Sequence, residues 1–319
     1  MKLRDIEFGS VWGASGVQGF LGEGYPYHRL LKAAFPGMFS FRGTTFVAKT
    51  TTLLPREGNM PLKHNGITPR RFKPDCIVVR FRKCVALNAV GLSGPGAVSL
   101  FNDGRWQARC TPFFISFMAV EKTADKRLEE VSYFVKLIRQ HLPNFNAPFG
   151  LQLNFSCPNV SLHSEDLIEE IRAALTITAS LSIPLVPKLS VLVPAEVACV
   201  IAAHHACDAI CISNTVPWGA LPACIDWKGL FGSEVSPLAK YGGGGLSGAP
   251  LLPLVGEWLH KVHLMGITKP IHAGGGILCP DDVTFLHAMG AQSVSVGSLV
   301  MLRPWRLQRV IRRAHELFA

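Results

Sequence analysis

The 319-residue chain has no apolar run of the roughly 18 to 20 residues that a membrane-spanning helix needs. Its start, MKLRDIEFGS, lacks the apolar core of a signal peptide. These two absences predict a soluble, cytoplasmic protein with no transmembrane anchor. No C-x-x-C pair occurs, so neither a zinc ribbon nor an iron–sulfur cluster is expected, and no metal site is assigned. The nine cysteines, an odd number in a long chain, read mostly as buried thiols in a reducing compartment. Acidic residues are scarce: 22 Asp and Glu against 32 Lys and Arg leave a formal charge of +10. That balance suits an anionic small molecule. Clusters such as PRRFKP (69–74) and RPWRLQRVIRR (303–313) carry part of it. No basic stripe is interleaved with aromatics as a base-stacking platform would be, so no nucleic-acid partner is expected.

Pro and Gly punctuate the chain at short intervals, and no low-complexity linker divides it. Between them lie eight short apolar or β-branched runs: residues 45–51, 84–90, 112–120, 150–157, 184–191, 208–216, 270–277 and 292–300. Such runs lack polar alternation, as strands covered on both faces do. Helical periodicity falls at 125–141, 165–180, 195–206, 250–264, 281–289 and 303–318. Alternating strands and helices predict an α/β fold, and eight of them a (β/α)₈ barrel built as one domain over 1–319. A doubly wound sheet is the alternative, but no G-x-G-x-x-G turn follows the first run.

A barrel places its chemistry where strands end. Lys49, Asn88, Asn154 to Cys157, Lys188, Asn214 and Thr215 stand there, where otherwise apolar runs stop. Burying polar groups is costly unless they are paired, so a ring of them points to a ligand. The glycines of AGGGI and VGS, after the last two runs, suit a phosphate-bearing cofactor. The four carboxamides Asn88, Asn154, Asn159 and Asn214 suit a flat polar heterocycle, although each alone also fits a turn cap. Cys157 sits where strand becomes loop, without a histidine in the immediate run, and reads as a proton abstractor above a bound ring. An inert thiol is the plainer alternative.

The motifs WGASG (12–16), AKTTTLLPREGN (48–59), NAVGL (88–92), LNFSCPN (153–159), PKL (187–189), SNT (213–215), GGLSG (244–248), AGGGI (273–277) and VGS (296–298) occur in this order. Together they resemble the dihydroorotate dehydrogenases over nearly the whole chain. With cysteine in LNFSCPN, the chain resembles the soluble cysteine-base branch (class 1-like) rather than the serine-bearing quinone users. The resemblance implies FMN-dependent oxidation of (S)-dihydroorotate to orotate in pyrimidine biosynthesis. Cys157 takes the C5 proton and a hydride passes to flavin N5. Lys49, Asn88, Gly91, Leu92, Asn154, Asn159, Asn214 and Thr215 are implied to hold the pyrimidine. Ala14, Ser15, Gly16, Lys49, Thr50, Asn154, Lys188, Gly248, Gly275, Gly276, Gly297 and Ser298 are implied to hold FMN. The electron acceptor is fumarate, NAD through a partner subunit, or another oxidant. A homodimer or a complex with an electron-transfer subunit is expected.

The chain departs from the family pattern in longer loops at 58–75 and 219–241, and SFMAV lacks an asparagine that some members carry there. Two alternatives are a related flavin barrel acting on another pyrimidine, such as dihydrouracil, and a non-catalytic barrel subunit.

Overall fold

The computed structural model describes residues 1–155 and 164–318. The strands in chain order begin with β1 (Lys2–Leu3), β2 (Ile6–Glu7), β3 (Val11–Gly13), β4 (Ile77–Arg80) and β5 (Val85–Asn88). Then come β6 (Phe113–Phe117), β7 (Phe149–Asn154), β8 (Leu185–Leu189), β9 (Ile210–Ile212) and β10 (Val216–Pro217). β11 (Gly245–Gly248), β12 (Ile271–Gly274) and β13 (Ser293–Val296) complete them. The first helices are α1 (Pro26–Ala34), α2 (Ala97–Asp103), α3 (Ala124–His141), α4 (Ser164–Ala179) and α5 (Ala195–Ala202). The others are α6 (Trp227–Phe231), α7 (Leu251–Leu264), α8 (Pro280–Ala288), α9 (Leu299–Leu302) and α10 (Leu307–Leu317).

Seven strands form one sheet in the order β3-β13-β12-β9-β8-β7-β6, and every neighbouring pair is parallel. The sheet curls until both edges reach the same segment. Thr45 bridges Trp12 on one edge, while Val47 and Thr51 bridge Phe114 and Phe117 on the other, all parallel.

The parallel sheet corrects one expectation. The run 84–90 does not join it. β5 lies instead in a four-stranded antiparallel sheet, order β10-β11-β5-β4. Val85 and Leu87 pack there with Leu246, Trp227 and Phe231. The place expected for this run goes to β3, three residues too short to show a period. Burial had the same sequence signature in both sheets, so apolarity could not tell them apart.

Side-chain alternation explains the interior. Ile115, Leu151, Leu185, Ile210 and Val294 face the helical layer and join the large core. Their neighbours Phe114, Val186 and Cys211 face inward with Trp12 and Val47. Trp12 stacks on His272 at 3.8 Å and lies 4.2 Å from Phe114, centroid to centroid. Leu3 and Phe8, from the β1–β2 hairpin and its exit, extend this cluster. Each such side chain contributes about 1.5–3 kcal/mol on burial. One period further along the strands Phe114 and Val186 give way to Ser116 and Lys188, and on β7 Asn154 follows the already polar Gln152.

The expected helices form with shifted ends. α3 starts where Thr123 Oγ1 accepts from the Lys126 N–H at 3.4 Å, an N-cap. The last helix begins at Leu307 rather than 303, because Pro304 opens a separate 3₁₀ turn. α1, α2, α6 and α9 were not anticipated, and α9 takes the end of the run 292–300. Among the described residues no helix is long and apolar enough to cross a membrane.

Candidate active site

A continuous path of polar side chains crosses the C-terminal ends of the parallel strands. Ser15, just past β3, donates to the Ala48 carbonyl at 2.9 Å and meets Thr50 Oγ1 at 2.9 Å. Thr50 Oγ1 also meets Ser116 Oγ at 2.9 Å. Asn154 Nδ2 donates to Thr50 Oγ1 at 3.4 Å, and Asn214 Nδ2 donates to Asn154 Oδ1 at 2.8 Å. The Thr215 N–H in turn donates to Asn214 Oδ1 at 3.0 Å. Both ends of the Asn214 carboxamide are thus occupied, which sets its orientation.

The antiparallel sheet brings Asn88 to the same place. Its Nδ2 donates to the Gly245 carbonyl at 3.4 Å. A Cβ on Gly245 would stand 2.3 Å from Thr215 Oγ1, so this glycine admits the threonine. The loop after Asn88 holds Gly91 and Leu92, both with left-handed backbones. Asn59 fastens it by donating from Nδ2 to the Ala89 carbonyl at 2.7 Å.

Lys49 is buried at the centre of this arrangement. Its Nζ donates to the Ser93 carbonyl at 2.6 Å and lies 4.4 Å from the Phe20 ring centroid. Burial pulls its ammonium down to about 8, while Glu23 and Cys76 oppose that fall. Lys188 is half-buried, opposite Asn154 on one side and Cys211 on the other in the strand register. Among the described residues it has no hydrogen-bond or ion-pair partner. Burial lowers its pKa, opposed by Cys211, whose own thiol burial pushes up to about 11. His272, deeper in the interior, meets Ser293 Oγ at 2.7 Å and is kept neutral by burial and by Lys188.

The glycine-bearing ends meet α7 and β3. Gly276 has a φ of +83°, and a Cβ there would stand 2.5 Å from the Leu252 nitrogen in the first turn of α7. Gly248 precedes that helix and packs so tightly on Cys84 that a Cβ would stand 2.2 Å from its carbonyl oxygen. Gly275 adjoins Leu251 and Val255 of the same helix, and Gly297 faces Ala14, which donates to Val296. The N–H groups of Gly275, Gly276 and Gly297 donate to no acceptor among the described residues. Ser298 caps α9. Gly16 has a left-handed backbone, and its carbonyl accepts from the Tyr25 hydroxyl at 2.7 Å.

Thus Ser15, Thr50, Asn154, Asn214, Thr215 and Asn88 are joined by contacts, with Lys49 next along the chain from Thr50. Cys157 and Asn159 lie outside the described residues. Ser116, Ser93, Phe20 and Tyr25 were not anticipated. Only Ser116 left a signal, as the one hydroxyl in FFISF two residues past the inward Phe114.

Such a mouth can bind an electron-rich, anionic ligand. Among the described residues it offers one cation without a counter-ion, a second held by a carbonyl and over a ring, and backbone N–H groups without acceptors at one rim. The family model described as dihydroorotate dehydrogenase matches residues 11–318. The chain belongs to the dihydroorotate dehydrogenase family. Curated relatives in this family include the dihydroorotate dehydrogenase B (NAD(+)) catalytic subunits of Anoxybacillus flavithermus and a Geobacillus species. They are 27% and 29% identical over 304 and 305 residues, covering 93% of this chain and 83% of each relative. A solved dihydroorotate dehydrogenase from Eimeria tenella, in complex with ferulenol, superposes with a TM-score of 0.67. At 17% identity, over 100% of this chain and 87% of that one, this likeness concerns the fold alone.

Proposed function

We propose that the protein oxidises (S)-dihydroorotate to orotate in pyrimidine biosynthesis, using FMN. We read residues 45–51 as the eighth strand of a closed (β/α)₈ barrel, and 1–319 as one catalytic domain. Their parallel bridges to both sheet edges support that reading. The observation that carries the function is the polar path from Ser15 to Thr215, with Lys188 at its side and no partner for it among the described residues. An unpaired, half-buried cation is costly in a protein with nothing to bind there.

The residues at these strand ends suit FMN. The free N–H groups of Gly275, Gly276 and Gly297, beside Gly248, Ser298 and the first turn of α7, suit its phosphate. Ala14, Ser15, Gly16 and Thr50 line the approach from β3, and Lys188 suits an electron-rich ring edge. When bound, FMN supplies the oxidant for the substrate C–H bond.

The chain's own residues do the rest. Lys49, with Asn88, Asn154, Asn159, Asn214 and Thr215, holds the pyrimidine and its carboxylate. Gly91 and Leu92 lend backbone contacts. Asn214 and Asn154, locked together, present donors and acceptors in set positions, so little reorganisation accompanies binding. Cys157, three residues after Asn154, takes the proton from C5 of dihydroorotate. Lys188 stabilises negative charge that accumulates beside it. The relatives are catalytic subunits of NAD-linked enzymes, and this chain is read as working in the cytoplasm with an electron-transfer partner subunit.

The test is anaerobic addition of dihydroorotate to the flavin-loaded protein. Bleaching of the flavin absorbance is expected, followed by reoxidation by NAD only when a partner subunit is present. No bleaching with dihydroorotate, but bleaching with dihydrouracil, would transfer the reading to another pyrimidine.

A further inference from the structure

The basic clusters PRRFKP and RPWRLQRVIRR take no part in the proposed reaction. Between Glu23 and Asp103 the only acidic residues are Glu57 and Asp75, and none lies between Asp282 and Glu316. The fold brings these acid-poor segments together around α1. At its start, Tyr27 meets the Phe72 ring, centroids 6.4 Å apart. At its end, Phe35 meets Trp305 at 5.6 Å. Arg303 lies 5.7 Å from the Trp305 ring and donates from Nη1 to the Phe81 carbonyl at 3.2 Å. Phe81 opens the turn between β4 and β5.

This face shows apolar tips and cations side by side. α1 buries His28 and packs Leu31 and Phe35 inward, yet also leaves Leu30, Ala33 and Ala34 exposed at helical spacing. Leu30 is 61% exposed, Phe72 58%, Phe81 59% and Trp305 39%. Exposed Arg29, Lys32, Arg70, Lys73, Arg82 and Lys83 stand among them. Among the described residues none of these six forms an ion pair, while Arg71 beside them pairs with Asp75.

We propose that this face, made of α1, the β4–β5 turn, residues 69–74 and residues 303–306, docks on an anionic lipid surface. A protein partner would need shaped pockets for these side chains. A bilayer needs only separated apolar anchors, aromatic rings at headgroup depth and a field of cations, which is what the face presents. The helix would lie along the surface, as the exposed stripe requires. This inference does not depend on the reaction assigned to the mouth.

The flavin-loaded protein is floated with vesicles of phosphatidylcholine alone, or mixed equally with phosphatidylglycerol. Binding to the anionic vesicles should exceed that to the neutral ones by about tenfold or more and be lost as salt is raised. The triple variant Leu30→Ser, Phe72→Ser, Trp305→Ser should lose that binding by about tenfold while keeping its flavin and its reduction by dihydroorotate. Should the triple variant misfold, Arg82→Glu with Lys83→Glu should cause a similar loss. Absence of wild-type binding overturns the proposal, as does equal binding by the folded variants. Tight binding to soluble polyglutamate, with none to vesicles, would assign the face to an acidic protein and also overturn it.

Discussion

Lys188 tests the reading of the site most sharply, because its loss should act in opposite directions on the empty and the flavin-loaded protein. The ammonium is half-buried, beside Asn154 and Cys211, with no counter-ion among the described residues. Lys188→Met keeps the length of the stem and removes the charge. In the flavin-free protein the variant escapes a desolvation cost, so stability should rise by about 1–2 kcal/mol. For a chain of this size that is a melting temperature higher by about 1.5–3 °C. In the loaded protein the variant loses the charge that steadies the reduced ring, so reduction by dihydroorotate should slow by about 10²- to 10³-fold. Thermal melts of both forms, with anaerobic stopped-flow of flavin bleaching, measure the two effects. A variant that destabilises both forms alike would mean that Lys188 is an ordinary structural residue. Undiminished reduction would remove it from the chemistry.

Cys157→Ala should retain flavin and slow its reduction by about 10²-fold or more, read by the same bleaching; unchanged reduction would exclude the thiol as base. Lys49 titrates at about 8 in the folded chain against 10.5 for a free lysine. The folded protein therefore binds fewer protons between those values, and stability should increase as pH rises through that window. Anion binding runs the other way: the KM for dihydroorotate should rise about tenfold per unit once pH exceeds the Lys49 value, and a flat profile would refute its role. Gly276→Ala places a Cβ 2.5 Å from the Leu252 nitrogen. It should weaken FMN binding by about tenfold or more through that clash and its positive φ, as a flavin-release titration would measure.

Much of the candidate site was legible because strand ends are local events. Asn154 and Lys188 each interrupt an apolar run, and the two-residue period that buries Phe114 and Val186 inside also directs Ser116 and Lys188 inward. The glycines of AGGGI were legible for a similar reason, since a positive φ beside a crowded helix start admits little else. Ser93, Phe20 and Tyr25 were not, because each acts on a residue far along the chain and nothing around it in sequence marks the contact. The exchange of 84–90 for β3 has the same origin: an apolar run reports that it is buried, not against what.

Sequence alone determined the parallel strands from β6 onward with most of the helices between them, and which of those strands end in a carboxamide or a lysine. These follow from local sterics and from burial patterns that repeat every two or three to four residues. Tertiary structure alone decided that Asn214 locks Asn154, that β5 belongs to a second sheet, and that Phe72, Phe81 and Trp305 share one cationic face. Those depend on contacts between distant segments, whose formation is governed by how the whole chain closes and not by any window within it.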